Sequence, residues 1–508
     1  MTTPKLPLMR NLSKTKLLAF RQCPKRLWLE VHQPEIRQDS SATQRSFSLG
    51  HQVGTVAQQL YDPKSKGQTI DVKTNGFADA IDRTTALLGS SQPIFEATFT
   101  AEGALALADV MLPTRKAGQR AWRMVEVKSS TSIKDYHWDD AAIQAFVARS
   151  AGVPLASIAL AHIDSNWVYP GGGDYQGLLI ENDVTTEAFG RAAEVKTWIA
   201  QAQTVVRKRT APAMRTGAHC SAPYECGFLA HCQAQEPQAQ HPVRWLPGTQ
   251  SAALKNHIEA NAATEMRDVP DALLNERQQR VKKHTLSGKA YFDAKGAAAD
   301  LAPHTLPAYF LDFETIQFAV PIWKGTRPFQ QMPFQFSLHR LTRTGKLAHQ
   351  AFLDLSGKDP SKAFAQALVD ACGERGPIFV YSKSFETGRI KELADRYPGL
   401  KQSLMAINAR VVDLLPIAKN RYYHPSQQGS WSIKQVLPAI APGLGYDTLE
   451  GVQDGGMAMQ AYLDATAPGI TASEKTTIEN QLLQYCKMDT YAMVKLWQFF
   501  TGRTDLSL

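Results

Sequence analysis

Four of the six cysteines constrain this chain more than any other feature: Cys23 stands near its start, and Cys220, Cys226 and Cys232 are bunched about two hundred residues later. Thiolates are ligands for soft metals, and four of them saturate either an iron–sulfur cubane or a tetrahedral zinc ion. The run from His219 to Cys232 spaces its cysteines by five residues twice, wider than the Cys-x-x-Cys of a zinc knuckle. Three clustered thiols with one remote thiol favour an iron–sulfur centre, around which the protein must draw distant segments together. Zinc is the alternative, since His219 and His231 could each replace a thiol; plain burial as small hydrophobes is the competing reading. Cys372 and Cys486 sit in surroundings without metal spacing and read as structural.

A length of 508 residues implies two or three domains, each with its own core, and 44% apolar content is that of a globular chain. The sequence has no run of about 18 uncharged apolar residues, and residues 1–5 lack the apolar core of a signal peptide. The expectation is a cytoplasmic protein without a membrane segment, its thiols reduced and free to hold metal. A net charge of +9 and a pI near 9.1 are compatible with a polyanionic partner, although many soluble proteins are mildly basic.

The Gln/Ala/Pro-rich stretch 233–240 reads as a boundary. It divides the chain into three segments: 1–235, a helical connector over 236–305, and 306–508. The connector's basic run 275–284 is expected to be an exposed helix. From Pro307 onward the pattern is strand, strand, helix, strand, helix, which makes the fold class α/β.

In the first segment, Trp122-Arg123-Met124-Val125-Glu126-Val127-Lys128-Ser129 reads as a strand. Alternation puts Glu126 and Lys128 on one face and Val125 and Val127 on the other. Asp109 lies in Ala108-Asp109-Val110-Met111-Leu112, a natural antiparallel partner. Such converging charge is costly unless a cation or a phosphate neutralises it. Two carboxylates can hold a hard divalent ion while the lysine orients water or stabilises charge, the chemistry of phosphodiester hydrolysis.

The order of Glu96, Asp109, Glu126 and Lys128, with a helix bearing Gln144 after them, resembles the PD-(D/E)xK nuclease superfamily. Within it, the chain is similar to the RecB-like branch that carries a cysteine-ligated iron–sulfur cluster, including the CRISPR adaptation exonucleases and the AddAB recombination nuclease. The resemblance covers about 10–235 and includes the pattern from Leu12-Ser13 through Cys23-Pro24. It implies a restriction-endonuclease-like domain, with Glu96, Asp109 and Glu126 as metal ligands and Lys128 as a catalytic residue. Gln144 would bind substrate or support the site, and Cys23, Cys220, Cys226 and Cys232 would ligate a [4Fe-4S] cluster, or zinc in its place. The sequence departs from the family where Ala148 replaces a tyrosine four residues after Gln144, in the cysteine spacing, and in the helical histidine, for which His51 is the nearest candidate.

The third segment opens with Ala308-Tyr309-Phe310-Leu311-Asp312-Phe313-Glu314-Thr315, an apolar strand with two acids on one face. No cationic partner lies in sequence reach, so the pair asks for metal. Pro377-Ile378-Phe379-Val380-Tyr381 is a second apolar strand that leads into a helix containing Glu386. Near the end, Tyr485 and Asp489 fall one helical turn apart on one face. In this order the pieces resemble the tyrosine-bearing DEDD exonucleases of the DnaQ-like group, over about 308–500. The resemblance implies a ribonuclease H-like domain with Asp312, Glu314, Glu386, Tyr485 and Asp489 as catalytic residues. Asp312, Glu314 and Asp489 would ligate Mg or Mn, and Tyr485 would position water. The family's middle motif, Asn-x-x-Phe-Asp, is Ser382-Lys383-Ser384-Phe385-Glu386 here. Asp413 reads as a strand-end acid or helix cap. Tyr422, Tyr423, His424 and Trp431 read as packing or loop surface rather than base-stacking groups.

Both resemblances imply a divalent-metal-dependent nuclease with two modules, its partner nucleic acid, DNA in preference to RNA. Protein partners in a repair or defence complex would be in keeping with these families. The alternatives are a nucleic-acid-binding or complex-forming protein with one or both sites degenerate, and an RNA-processing exonuclease.

Overall fold

The structure, a computed structural model, describes residues 10–504; residues 1–5, where a leader would begin, lie outside them. The chain is mixed α/β and divides into two compact units, residues 1–237 with 318–330, and residues 238–317 with 331–508. The basic connector therefore belongs to the second unit.

The first unit is built on a seven-stranded sheet. Its strands are β1 (Leu12–Ser13), β2 (Gln68–Thr69), β3 (Ile94–Ala101), β4 (Ala104–Lys116), β5 (Gln119–Lys128), β6 (Leu155–Ile163) and β7 (Leu179–Asp183), in the order β2-β3-β4-β5-β6-β7 with β1 against β4. Two-residue turns join β3 to β4 and β4 to β5, and both residues of each turn (Glu102-Gly103 and Ala117-Gly118) have positive φ. That backbone matches the twist of the flanking strands and fixes the antiparallel register. β5 and β6 run parallel, which requires a crossover, supplied by the helix Asp135–Ser150. Met111, Trp122 and Met124 face the core that also contains this helix's Ile143 and Val147, while Val125 packs on the other face with Phe95, Val110 and Tyr61. Burial on both faces leaves polar side chains on these strands paired or beside the sheet's irregularities.

The second unit holds a five-stranded sheet of β9 (Ala308–Ile316), β10 (Met332–Leu341), β11 (Leu347–Leu353), β12 (Ile378–Val380) and β13 (Val411–Asp413), in the order β11-β10-β9-β12-β13. Two short strands, β8 (Tyr291–Phe292) and β14 (Tyr422–Tyr423), pair separately. β9 to β11 form an antiparallel meander, and β12 and β13 run parallel to β9. The pattern read as two strands before the first helix is thus three. β11, at the sheet's edge, has no fully buried residue, so its apolar signal was weak.

The side chains of β9 sort by alternation. Tyr309, Leu311 and Phe313 join a core with Phe364 and Leu368 of the helix Ser361–Ala371. Asp312 and Glu314 face the other way, toward the helix Ala472–Thr501 that covers that face. The connector's basic run forms the helix Glu276–Ser287, but Gln278, Val281 and Thr285 are buried along one stripe. Its other faces carry the basic residues, with Arg277 and Lys283 exposed and Arg280 and Lys282 half-buried. Tyr422, Tyr423 and Trp431 are buried in packing.

Two candidate acid sites and a thiol cavity

The first site forms where the β4–β5 ladder stops. Pairing begins at Val110 with Val125, and beyond it the Asp109 carboxylate stands in for a backbone acceptor, its Oδ2 taking the Val127 N–H at 2.7 Å. Glu96 lies opposite Asp109 by the β3–β4 register and has a φ of 56°. The strand changes face there, with Phe95 in one core and Ala97 in the other.

Glu126 is 1% exposed and sits at the centre. Its Oε1 accepts from Lys128 Nζ at 2.8 Å and from Lys14 Nζ at 2.5 Å, and its Oε2 accepts from Gln144 Nε2 at 2.5 Å. Both ammonium groups also bridge to Asp140, Lys14 at 3.2 Å and Lys128 in closer contact. Two acids and two lysines thus make a closed ring of charge. Burial, then the charges of Asp109 and Asp140, push Glu126 up to about 7. Burial would also raise Asp140, but Lys128 and Lys14 outweigh it and hold the carboxyl at about 2. Both lysines are held above their ordinary range: burial works against the charge, and Asp140 and Glu126 overcome it. Burial and the charge on Glu126 raise Glu96. His51 is exposed on the helix Ser41–Tyr61.

Sequence reading named Glu96, Asp109, Glu126, Lys128 and Gln144, and all five converge here. It missed Lys14 and Asp140. Asp140 carries a local signal, since it precedes Gln144 by one helical turn and so shares its face. Lys14 carries none, because it is 112 residues from Glu126.

The four cysteines line one cavity together with Arg26, Thr216, His219 and Phe228. Cys23 is the C-cap of the helix Lys14–Gln22, Cys220 and Cys226 are buried, and Cys232 lies on the short helix Leu229–Ala234. The Cys226 N–H donates to the Cys220 carbonyl at 2.9 Å, closing the loop between them. All six cysteines are free thiols. A tetrahedral zinc with bonds of ~2.3 Å holds its sulfurs about 3.8 Å apart. Among the described residues, these donors do not form a group drawn within 4.8 Å of one another.

In the second unit, Asp312 and Glu314 on β9 meet Tyr485, Cys486 and Asp489 from the helix Ala472–Thr501. Burial first, then the charge of Asp489, hold both Asp312 and Glu314 well above the usual carboxylate range. Burial lifts Asp489 to about 6, opposed by hydrogen bonds from Tyr446 and Tyr485 and by the charge of Lys434. Glu386, on the helix Lys383–Arg396, is 2% exposed, its Oε2 has no hydrogen-bond partner, and burial pushes it up to about 8. A buried carboxylate oxygen left without a donor is what a cation would satisfy.

Three members of this cluster lay beyond the sequence reading. Tyr446 donates to Asp489 Oδ1 at 2.6 Å. Lys434 lies 5.1 Å from the ring centroids of both Tyr446 and Tyr485 and supplies the cation that sequence reach did not offer. Cys486, read as structural, is fully buried, and its Sγ joins Asp312 and Glu314 in a triad whose ligand atoms lie within 4.8 Å of one another. Asp413 is a cap: it accepts from the backbone N–H groups of Ser382, Lys383 and Leu415.

A family model described as Domain of unknown function (DUF2779) matches residues 309–432, a stretch that includes Asp312, Glu314 and Glu386 and ends before Tyr485. Among curated proteins, Uncharacterized protein MG366 of Mycoplasma genitalium is 27% identical over 210 residues, 37% of this chain and 31% of the relative. The Uncharacterized protein MG366 homolog of Mycoplasma pneumoniae is 29% identical over 209 residues, with the same shares. The chain spans less than a third of the length of these relatives. No helix among the described residues is long and apolar enough to cross a membrane.

Proposed function

We propose that the chain is a divalent-metal-dependent nuclease that hydrolyses phosphodiester bonds of DNA, at ends or in single strands, with one site in each unit. The observation that carries this reading is the buried acid cluster of Asp312, Glu314, Glu386 and Asp489, all raised, with one carboxylate oxygen left without a donor. An interior keeps so many acids together when cations neutralise them. The mixed sheet whose central strand carries Asp312 and Glu314 supports a ribonuclease H-like fold for the second unit. The sheet that sets Asp109 beside Glu126 supports a restriction-endonuclease-like fold for the first.

When bound at Asp109 and Glu126, or at Asp312, Glu314 and Asp489, Mg or Mn would neutralise the scissile phosphate and stabilise the attacking and leaving oxygens. The chain's own groups do the rest. Lys128 donates to the phosphate and stabilises developing charge, while Gln144 fixes the orientation of Glu126. Tyr485, hydrogen-bonded to Asp489, orients the attacking water. Cys23, Cys220, Cys226 and Cys232 would hold an iron–sulfur cluster that closes the first unit, a reading supported by four thiols lining one cavity.

Replacing Lys128 and Asp312 by alanine, separately and together, tests the reading with single-stranded and duplex DNA and matched RNA, in Mg or Mn. Each single variant should lose one activity and the double variant all of it; full activity in the double variant would refute both sites, and equal or faster cleavage of RNA would favour an RNA-processing enzyme. A broad visible absorption band in anaerobically purified protein is expected for the cluster, and a colourless protein with stoichiometric zinc would overturn that assignment. One observation favours a second reading, a nucleic-acid-binding protein with a degenerate first site: both oxygens of Glu126 already accept from lysine or glutamine. Strand binding without manganese-dependent cleavage would support it.

A further inference from the structure

Glu386 enters the acid cluster of the second unit from the first turn of the helix Lys383–Arg396, within electrostatic reach of Asp312. The direction of that turn is set by the residue before it. Ser382 has φ 93° and ψ 67°, a left-handed conformation that a residue other than glycine keeps only when its surroundings impose it. A residue at a helix N-cap is ordinarily extended and accepts a helix N–H with its own side chain; Ser382 does neither.

The acceptor comes from another strand instead. β12 and β13 pair with Val380 opposite Asp413, and the Leu414 N–H donates to the Val380 carbonyl at 3.0 Å. Where this ladder ends, the Asp413 carboxylate takes over. Its Oδ1 accepts from the Ser382 N–H at 3.1 Å and from the Leu415 N–H at 2.9 Å, and its Oδ2 accepts from the Lys383 N–H at 3.0 Å. Two consecutive N–H groups thus converge on one carboxylate, as in a backbone anion nest, and the bond from Leu415 fixes the carboxylate itself. The Lys383 ammonium donates to the Val411 carbonyl at 2.8 Å, a second tie between the start of the helix and the same strand. Glu386 lies four residues after Ser382, 2% exposed, with an Oε2 that has no donor, so a rotation of this first turn changes where that oxygen points.

We propose that Asp413 is a positioning residue of the second site: by holding Ser382 left-handed, it aims the donor-free oxygen of Glu386 into the cluster where a cation is held. The proposal rests on the metal-site reading of this unit and adds to it a residue that touches neither ion nor substrate. Two other roles make different predictions. A plain helix cap would support the fold and leave metal affinity alone, and a further acid would act through its charge, which also reaches Glu386.

The test uses the full chain carrying Lys128→Ala, so that cleavage reports the second site, and reads Mn affinity by titration calorimetry. The binding step that Asp312→Ala abolishes marks the second site. Asp413→Ala should weaken that step by roughly 10- to 100-fold. Asp413→Asn keeps an oxygen for the Ser382 and Leu415 N–H groups without the charge and should recover most of the loss. Glycine takes a left-handed backbone without strain, so Ser382→Gly combined with Asp413→Ala should recover part of it. Equal loss in the asparagine and alanine variants would overturn the proposal in favour of a charge effect. An Asp413→Ala protein that melts earlier but binds Mn as its parent does would reduce Asp413 to a cap, and a double variant no better than Asp413→Ala would overturn the role given to Ser382. Circular dichroism reports the folded fraction; should Asp413→Ala not fold, Asp413→Asn decides alone, with near-parental Mn affinity expected and a loss of the full size overturning the proposal. Cleavage of DNA is assayed on the same proteins. A parent that binds Mn at the second site without cleaving would end the nuclease reading of that site and leave the positioning test intact. A parent that cleaves, with an affinity unmoved by Asp413→Ala, would end the positioning alone, and the absence of any Mn step dependent on Asp312 would end both.

Discussion

Lys14→Met removes one of the two ammonium groups from the ring at Glu126. Lys14 Nζ lies 2.5 Å from Glu126 Oε1 and 3.2 Å from Asp140 Oδ1. At an effective dielectric constant of about 20, contacts at these distances contribute about 5–7 kcal/mol each before desolvation. Desolvation of the ammonium and its repulsion from Lys128 offset much of two such contacts. The Lys14 side chain is 19% exposed, so water screens part of the remainder. The net cost of leaving two acids with one cation is about 2–4 kcal/mol. In a unit of this size that lowers the melting midpoint by roughly 5–15 °C, measurable by calorimetry. Lys14→Met with Asp140→Asn restores the balance to one acid and one lysine and should recover at least about 1 kcal/mol relative to additivity. A single variant within about 0.5 kcal/mol of wild type, or an additive double variant, would refute the charge-ring account.

The second unit carries three further expectations. Its acids have raised folded values, about 6 for Asp489 and about 8 for Glu386, with Asp312 and Glu314 also well up. The folded state therefore binds more protons than the unfolded state, and metal-free stability should fall as pH rises from about 4 to about 8. Calorimetry in chelator and in Mn should show the largest stabilisation by metal at the upper end of that window; a flat profile would count against a buried acid cluster. Tyr446→Phe removes a donor from buried Asp489 and should cost about 1–3 kcal/mol in denaturant titration, with no change if the hydroxyl bond is absent. Gly376 has a φ of 97°, and a Cβ there would collide with the Pro307 carbonyl oxygen. Gly376→Ala should destabilise by more than about 1 kcal/mol, and a neutral result would mean that the close approach is not made.

The sequence by itself determined the pairings that short-range geometry dictates. Residues two apart on a strand share a face, so Glu126 with Lys128, and Asp312 with Glu314, could be paired before any fold was known. Tyr485 and Asp489 share a helix face for the same kind of reason. Short turns made β4 and β5 a hairpin, which brought Asp109 to Glu126. Only the tertiary structure decided the partners that come from far along the chain. Lys14 reaches Glu126, Lys434 and Tyr446 reach Asp489, and Cys486 reaches Asp312, through packing that leaves no periodic trace in sequence. Those partners set the charge balance, because the energy of a buried acid depends on every group within a few ångströms, and chain separation carries no information about that distance.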